Sequence, residues 1–356
     1  MFDEKRIFID AVVNRFKHRV EHIARIARVD GPGFPDLDRL KKFGPRYSGD
    51  PHVRHDIGCI CRPRGDDLAA RADEFTGNGI DRAKWGFDVD CWGGGNDERQ
   101  CYTRSARNAS IEDGRLVITA RRERARGPAL PERLRRRSAT PQSEVTRDFS
   151  SARLTTQGKA SWRYGRVEVR ARLPQGQGTW PAIWMLPDRD RYGGWAASGE
   201  IDILEAVNLG VPCARCPGGR ENTILGTLHF GGKWPGNEHK GEEVPFPDVL
   251  DDDFHVYAIE WQPDRIVWLA DGRMFAERQS NEWSTTGSPD PGAPFDQPFH
   301  LIINLAIGGK LAESRGLGGV QAEDYPKRME IDWVRVWQKP ATGAATGRQS
   351  MHTGSE

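Results

Sequence analysis

Short stretches in which apolar and polar residues alternate dominate the chain from about residue 69 onward. The clearest is residues 166–173, where one face carries only apolar side chains: Val167, Val169, Ala171 and Leu173. A two-residue period is typical of a β-strand with one buried face. Further strand-like segments, separated by Gly- and Asp-containing turns, lie at residues 254–261, 266–270, 300–307 and 331–337. The pattern predicts an all-β fold, an antiparallel β-sandwich.

The first 68 residues follow a different pattern. Within residues 5–28, apolar residues recur at helical spacing among arginines and lysines, which predicts an amphipathic basic helix. Three roles are open for this helix: it packs on its own chain, it binds a partner, or it lies on a membrane surface. We therefore expect three parts: a helical and irregular N-terminal extension at 1–68, one sandwich domain at 69–338, and a disordered tail at 339–356.

Composition narrows the range of partners. The chain of 356 residues has 52 Lys+Arg and 51 Asp+Glu, a balance that argues against a nucleic-acid binder. Residues 121–148 are rich in arginine but lack interleaved aromatic residues, so we expect a solvated surface loop there. No apolar run is long enough for a transmembrane segment. The 12 tryptophans indicate an aromatic surface that suits sugar rings.

Six cysteines bear on the compartment. Cys91 and Cys101 flank a glycine-rich turn and are placed to form a disulfide. Cys213 and Cys216 form either a local disulfide or half of a zinc site, which only Cys59 and Cys61 remain to complete. Disulfides favour an oxidising compartment, and we expect a secreted or periplasmic protein, although the N-terminus shows no signal-peptide pattern.

Three carboxylates stand out in one strand-like segment. Glu200 and Asp202 are two residues apart and therefore point to the same face of a strand, whereas simple alternation places Glu205 on the opposite face. One extra residue, a β-bulge at Ile203-Leu204, returns Glu205 to the acidic face and turns both aliphatic side chains inward. The sequence thus predicts three acids in a row on one side of a sheet.

Such a row generates an acid and a nucleophile from one residue type. Neighbouring like charges do not all ionise cheaply, so one carboxyl retains a proton near neutral pH while another stays charged. Retaining glycoside hydrolysis needs this pair. The alternatives are a solvent-exposed acidic strand or a metal site, and calcium would need further oxygen ligands.

The surrounding sequence resembles glycoside hydrolase family 16, and its laminarinase-like group in particular. The resemblance rests on residues 198–205 together with several further segments in matching order: 164–174, 178–187, 226–230, 254–261, 304–309 and 332–337. It extends from about residue 73 to residue 338. Residues 1–68, the arginine-rich segment and the cysteine-containing segment 209–222 depart from the family pattern.

The resemblance implies a β-jelly roll with a concave substrate cleft and retaining endo-cleavage of β-1,3-glucan. It implies Glu200 as the nucleophile, Glu205 as the acid/base and Asp202 as the residue that positions and tunes the nucleophile. It also implies five substrate-binding residues: Asn96, Trp180, Trp184, Trp195 and His229. We expect a monomer that binds polysaccharide and requires no cofactor, with a structural calcium ion left open.

The alternatives within this fold are a β-1,3-1,4-glucanase, a β-galactanase and a transglycosylase. A non-catalytic β-glucan-binding protein is the alternative outside enzymology. Loss of the acids is the usual sequence sign of that state, and all three are present here.

Overall fold

The computed structural model describes residues 71–136, 143–314 and 319–338. These residues form seventeen strands, joined by turns and short helical segments. In chain order the strands are β1 Arg71–Asp73, β2 Gly86–Asp88, β3 Gln100–Tyr102, β4 Ala109–Glu112, β5 Arg115–Pro128, β6 Glu144–Ser151, β7 Arg153–Thr155, β8 Gly165–Arg172, β9 Thr179–Pro187, β10 Glu200–Glu205, β11 Thr223–Gly231, β12 Asn237–Pro245, β13 His255–Trp261, β14 Arg265–Ala270, β15 Arg273–Gln279, β16 Phe299–Ile307 and β17 Lys327–Trp337. The described α-helices are α1 Glu132–Arg135 and α2 Gly309–Ser314.

The strands form two sheets. The ten-stranded sheet has the order β15-β14-β13-β8-β17-β5-β6-β3, with β1 on β17 and β4 on β5, and the seven-stranded sheet has the order β12-β11-β10-β9-β16-β7-β2. Among the described pairs, all are antiparallel except β3 with β6. The predicted all-β antiparallel sandwich is therefore confirmed.

The core lies between the two sheets and is formed by the inward side chains of both. Strand β8 contributes Val167, Val169 and Ala171, whose alternation the sequence predicts, and β16 contributes Leu301, Ile303, Leu305 and Ile307. Because alternate residues of a strand face opposite ways, the residues between those of β16 lie on the outer face of the seven-stranded sheet. That face carries the functional side chains.

The arginine-rich segment differs from the expected solvated loop. Strand β5 extends to Pro128 and pairs antiparallel with β6 as a long arm, and α1 follows β5 in the chain. The arm is anchored because the Cys91 N–H donates to the Pro128 carbonyl oxygen over 2.7 Å and the Arg147 side chain donates to the Cys91 carbonyl oxygen. Backbone pairing and these contacts, which composition does not reveal, make the described part of the segment, residues 121–136 and 143–148, a folded element.

The cysteines in the described residues form two disulfides, Cys91–Cys101 and Cys213–Cys216. The second is the local bridge, not half of a zinc site. Cys59 and Cys61, the predicted N-terminal helix and the predicted tail lie outside the described residues. In the part of the chain that the structure describes, no helix combines the length and apolar character needed to cross a membrane.

Candidate active site

A β-bulge in β10 brings the three acids to one face. Toward β9, Asp202 pairs with Trp184 and Leu204 pairs with Ile183, so Ile203 is the extra residue. The pairing with β11 also shifts, between Asp202 and Glu205. Ile203 and Leu204 are both buried in the core, as predicted. The sequence-predicted bulge is confirmed, and Glu205 returns to the face that carries Glu200 and Asp202.

The opposite sheet supports the bulge. The indole N–H of Trp268, a buried residue of β14, donates to the backbone carbonyl oxygen of Asp202 over 2.7 Å. Room for this indole exists because position 226 is glycine: a Cβ there would lie 2.5 Å from a Trp268 ring carbon. A bulge disturbs the regular ladder of backbone bonds, and this contact satisfies one carbonyl group at the disturbed point.

His229 joins two of the acids. It lies on β11 directly opposite Glu200. Its Nε2 is 3.2 Å from Asp202 Oδ2 and 3.7 Å from Glu200 Oε1. Asp202 is almost fully buried, so its negative charge is poorly solvated and the imidazole is its nearest cationic partner. The structure thus brings Glu200 and Asp202 together with His229, and it makes His229, which the resemblance implies as a substrate-binding residue, a direct neighbour of the acids.

Two tryptophans hold the outer acids. The Trp195 indole donates to Glu200 Oε2 over 2.8 Å, and the Trp180 indole donates to Glu205 Oε1 over 2.9 Å. An indole N–H only donates, so each contact stabilises the ionised form of its carboxyl group. Trp180 is nearly buried against Val207, Ala306 and Ala312, which makes it a support of Glu205 more than an open sugar platform.

The environment raises the pKa of both outer acids. Burial, followed by the charge of Asp202, raises the pKa of Glu200 to about 7 against the opposing effects of His229 and the Trp195 hydrogen bond. Burial and Asp202 likewise raise the pKa of Glu205 to about 8. Both groups therefore retain a proton to higher pH than an ordinary glutamate does. A site with one proton between them suits acid–nucleophile chemistry.

The two histidines differ in charge. Burial opposes the imidazolium form of His229, but the hydrogen bond to Asp202 and the charges of the three acids raise its pKa to about 9. His239, its cross-strand neighbour on β12, has a pKa lowered by burial and by the charge of His229. Near neutral pH, His229 is therefore a cation and His239 is neutral.

Of the two remaining predicted residues, Trp184 lies beside the acids and Asn96 does not. Trp184 pairs with Asp202 across β9 and β10, and its indole donates to Asn304 Oδ1 over 2.7 Å. Asn96, in the turn before β3, contacts none of the three acids; its side-chain amide lies 3.5 Å from Glu98 Oε1. Asn96 is therefore linked to Glu98 and not to Glu200, Asp202 or Glu205.

Metal-binding geometry is limited. In the described ranges, two groups of three or more His, Cys, Asp or Glu bring ligand atoms within 4.8 Å of one another. The first combines the disulfide-bonded Cys213 and Cys216 with Glu221, and the second is Glu200, Asp202 and His229. Neither is the all-oxygen set that calcium prefers.

Several functional side chains escape sequence reasoning. Trp268 and Gly226 support the bulge, while Glu98, Tyr102 and Asn304 form a buried hydrogen-bonded group next to Trp184. Arg133 of α1, which is exposed, lies close enough to lower the pKa of Glu200 through its charge. Only long-range contacts identify these residues; no local spacing in the sequence signals them.

Comparison with known proteins places the chain among carbohydrate-active enzymes. Residues 96–335 match the family model for the glycosyl hydrolases family 16. A β-glucanase from Rhodothermus marinus is 43% identical over 278 residues, which cover 75% of this chain and 84% of that protein. A glucan endo-1,3-β-glucosidase A1 from Niallia circulans is 40% identical over 278 residues. The chain spans only 37% of that relative's length.

The solved structures give the same grouping. The structure of the laminarinase from Rhodothermus marinus matches with a TM-score of 0.61 at 40% sequence identity. The match covers 76% of this chain and 97% of that one. The two-sheet architecture described above is thus shared with this enzyme.

Proposed function

The chain belongs to glycosyl hydrolase family 16, and we propose that it is a retaining endo-β-1,3-glucanase that cleaves laminarin-like polysaccharide by double displacement. The relatives support the substrate class: their names refer to β-glucan or to the β-1,3 linkage. The observation that carries the mechanism is the shift in pairing between Asp202 and Glu205, because it puts both outer acids on one face.

Glu200 is the proposed nucleophile. The family resemblance implies this role, and the His229 imidazolium, whose Nε2 lies 3.7 Å from Glu200 Oε1, stabilises the charged form of Glu200. Its carboxylate attacks the anomeric carbon and forms a covalent glycosyl ester, while the bond to the leaving-group oxygen breaks. The Trp195 hydrogen bond to Oε2 orients the carboxylate and leaves Oε1 toward His229.

Glu205 is the proposed acid/base. Its pKa of about 8 keeps it protonated near neutral pH, so it can donate its proton to the departing sugar oxygen. Once ionised, the same group takes a proton from water, which then attacks the glycosyl ester and releases the sugar with its configuration retained. The Trp180 indole holds Oε1 throughout this cycle.

Asp202 and His229 are proposed to position and tune the nucleophile. The negative charge of Asp202 raises the pKa of both outer acids, whereas the imidazolium of His229 lowers them. Because His229 lies close to both Asp202 and Glu200, its positive charge offsets part of the repulsion among the three acids and limits the rise in the pKa of the outer two.

Substrate binding is proposed for the aromatic side chains on the acid-bearing face. Trp184 and Trp195 lie next to the catalytic acids and are partly exposed, which leaves ring area for the apolar face of a glucose unit. Asn96 is proposed to bind sugar hydroxyls from its turn. Trp180 acts through Glu205, as its burial indicates.

We also propose that the protein acts as a monomer outside the cytoplasm without a metal cofactor. The two disulfides support an oxidising compartment. The proposed chemistry uses carboxyl groups and one imidazolium only. Unchanged activity and melting temperature in a chelator would support metal independence, whereas a lower melting temperature restored by calcium would reveal a structural ion.

The test is a product profile on laminarin, mixed-linkage β-glucan and β-galactan, with Glu200→Gln and Glu205→Gln as controls. We expect laminarin oligosaccharides of several lengths, and a loss on the order of 10³-fold in either variant. Preferred cleavage of another polymer would change the substrate. Elongated products would indicate transglycosylation, binding without turnover would indicate a recognition protein, and an active Glu200→Gln variant would overturn the mechanism.

A further inference from the structure

Glu98 is a buried carboxyl group that the proposed mechanism does not use. Its Oε2 accepts hydrogen bonds from Gln100 Nε2 at 2.7 Å and from the Tyr102 hydroxyl at 3.3 Å. Its Oε1 lies 3.5 Å from Asn96 Nδ2. The backbone at position 94 packs closely against this side chain, since a Cβ there would lie 2.1 Å from Oε1.

A chain of hydrogen bonds connects Glu98 to Trp184. Asn304 Nδ2 donates to the Tyr102 hydroxyl oxygen at 3.1 Å, and Asn304 Oδ1 accepts from the Trp184 indole at 2.7 Å. Glu98, Tyr102 and Asn304 are all buried. The path therefore runs from the Asn96 turn, through the protein interior, to the aromatic side chain beside Asp202.

The chemistry of the groups fixes the direction of every bond. An ionised carboxylate only accepts, so Tyr102 donates to Glu98 and offers its oxygen to the Asn304 amide group. Asn304 then presents its oxygen to Trp184, which only donates. Burial, with the charge of Glu98, raises the pKa of Tyr102 and keeps its hydroxyl a donor.

Tyr102 is also held in place by contacts outside this series of hydrogen bonds. The Arg153 guanidinium lies over its ring, 4.7 Å from the centroid. Arg153 itself is paired with Asp88 at 2.9 Å and with Asp90 at 3.0 Å. Because the phenol ring is clamped, its hydroxyl is a fixed point from which the Asn304 amide and the Trp184 indole take their orientation.

We propose that Glu98, Tyr102 and Asn304 are positioning residues that set the Trp184 indole and the Asn96 side chain for glucan binding. The inference rests on the proposed function, in which Trp184 and Asn96 bind sugar. Its own content is that one buried carboxylate orients two separate substrate contacts, Asn96 through Oε1 and Trp184 through Oε2.

Tyr102→Phe tests the branch to Trp184, because it removes one hydroxyl group and leaves the clamped ring. Tyr257→Phe is the matched control: Tyr257 is equally buried, and its hydroxyl has no hydrogen-bond partner among the described residues. In protein labelled with ¹⁵N-tryptophan, the Trp184 indole N–H resonance is assigned from its loss in Trp184→Phe. We expect Tyr102→Phe to shift this resonance and Tyr257→Phe to leave it in place.

The kinetic expectation on laminarin is a KM about fivefold higher in Tyr102→Phe with kcat nearly unchanged, as for the loss of one buried hydrogen bond. The double variant Tyr102→Phe/Trp184→Phe should have the KM of Trp184→Phe alone. Independent, multiplying effects on KM would overturn the inference. If Tyr102→Phe melts too early to study, Asn304→Ala is measured in its place with the same expected coupling.

Glu98→Gln tests the other branch. The amide oxygen of this variant can still accept from Gln100 and Tyr102, whereas its NH₂ group faces the Asn96 amide, which must turn its oxygen toward that group and so changes orientation. We therefore expect the Trp184 resonance to stay in place and KM to rise. In an Asn96→Ala background, the same Glu98→Gln substitution should leave KM unchanged. An unshifted Trp184 resonance in Tyr102→Phe overturns the inference even if glucan is hydrolysed. A shifted resonance without glucan hydrolysis supports the positioning of Trp184 by Tyr102 and refutes the proposed function instead.

Discussion

Trp268 of one sheet donates its indole N–H to the backbone carbonyl oxygen of Asp202 in the other sheet, over 2.7 Å. This contact ties the core to the point where β10 gains its extra residue. The position of Glu205 thus depends on a residue that never reaches the cleft.

Trp268→Phe should separate stability from catalysis at this point. The variant leaves the Asp202 carbonyl group unpaired in the core, so we expect a loss of about 1–3 kcal/mol in the free energy of unfolding. Trp261→Phe is the matched control, since its buried indole also donates to a carbonyl group, that of Phe295. Denaturant unfolding should show similar losses, whereas kcat should fall only in Trp268→Phe. Equal kcat in both would show that the contact does not set the bulge.

His229→Gln should move the pH profile of kcat/KM. The imidazolium of His229 lowers the pKa of Glu200 and of Glu205, so its removal raises both. If Glu200 is the nucleophile and Glu205 the acid, as proposed, the acid limb reports Glu200 and the alkaline limb reports Glu205, and both should shift to higher pH. His239→Gln is the control, because His239 lies one strand further from the acids, on β12, and burial lowers its pKa. A shift to lower pH in His229→Gln, or equal shifts in both variants, would contradict this assignment.

Glu205→Gln should stabilise the protein at alkaline pH. The folded-state pKa of about 8 lies above the value of 4.5 for an ordinary glutamate, so the folded protein holds a proton that the unfolded chain releases. Stability is therefore lost as pH rises from about 4.5 through 8. The variant should melt above the parent at pH 8, and the gap should close near pH 4.

Glu313→Gln should change the melting temperature at alkaline pH in the opposite direction. Hydrogen bonds from Arg99 lower the pKa of Glu313, so its charged form stabilises the fold above its ordinary pKa. This variant should melt below the parent at pH 8, with the difference disappearing as pH falls below the ordinary glutamate range. Thermal melts of both variants across pH check the two signs together; Glu205→Gln less stable than the parent at pH 8 would refute the burial argument.

The sequence predicts the β-strands and the bulge because both follow from local rules. Alternation identifies β8, and the spacing of Glu200, Asp202 and Glu205 requires one extra residue if the acids share a face. The arm formed by β5 and β6 is missed because arginine-rich composition suggests solvent, while its backbone pairing and its anchor on Cys91 depend on residues far away in the chain.

The positioning groups are missed for a related reason. Trp184 contacts Asn304, 120 residues later, and Asn304 contacts Tyr102 across 202 residues. Neither contact leaves a trace in local periodicity. Glycine at 226 is equally silent in the sequence, because its role appears only when Trp268 from the other sheet occupies the adjacent space.

In the proposed mechanism, the bulge in β10 brings Glu200 as the nucleophile and Glu205 as its proton partner to one face of the sheet. Trapping with a 2-deoxy-2-fluoro-β-laminaribiosyl fluoride, followed by peptide mass spectrometry, identifies the nucleophile, because fluorine slows hydrolysis of the covalent intermediate. We predict one fluoroglycosyl group per protein, attached to Glu200. Attachment to Asp202 or Glu205, or turnover of the fluoride with no covalent intermediate, would contradict the account.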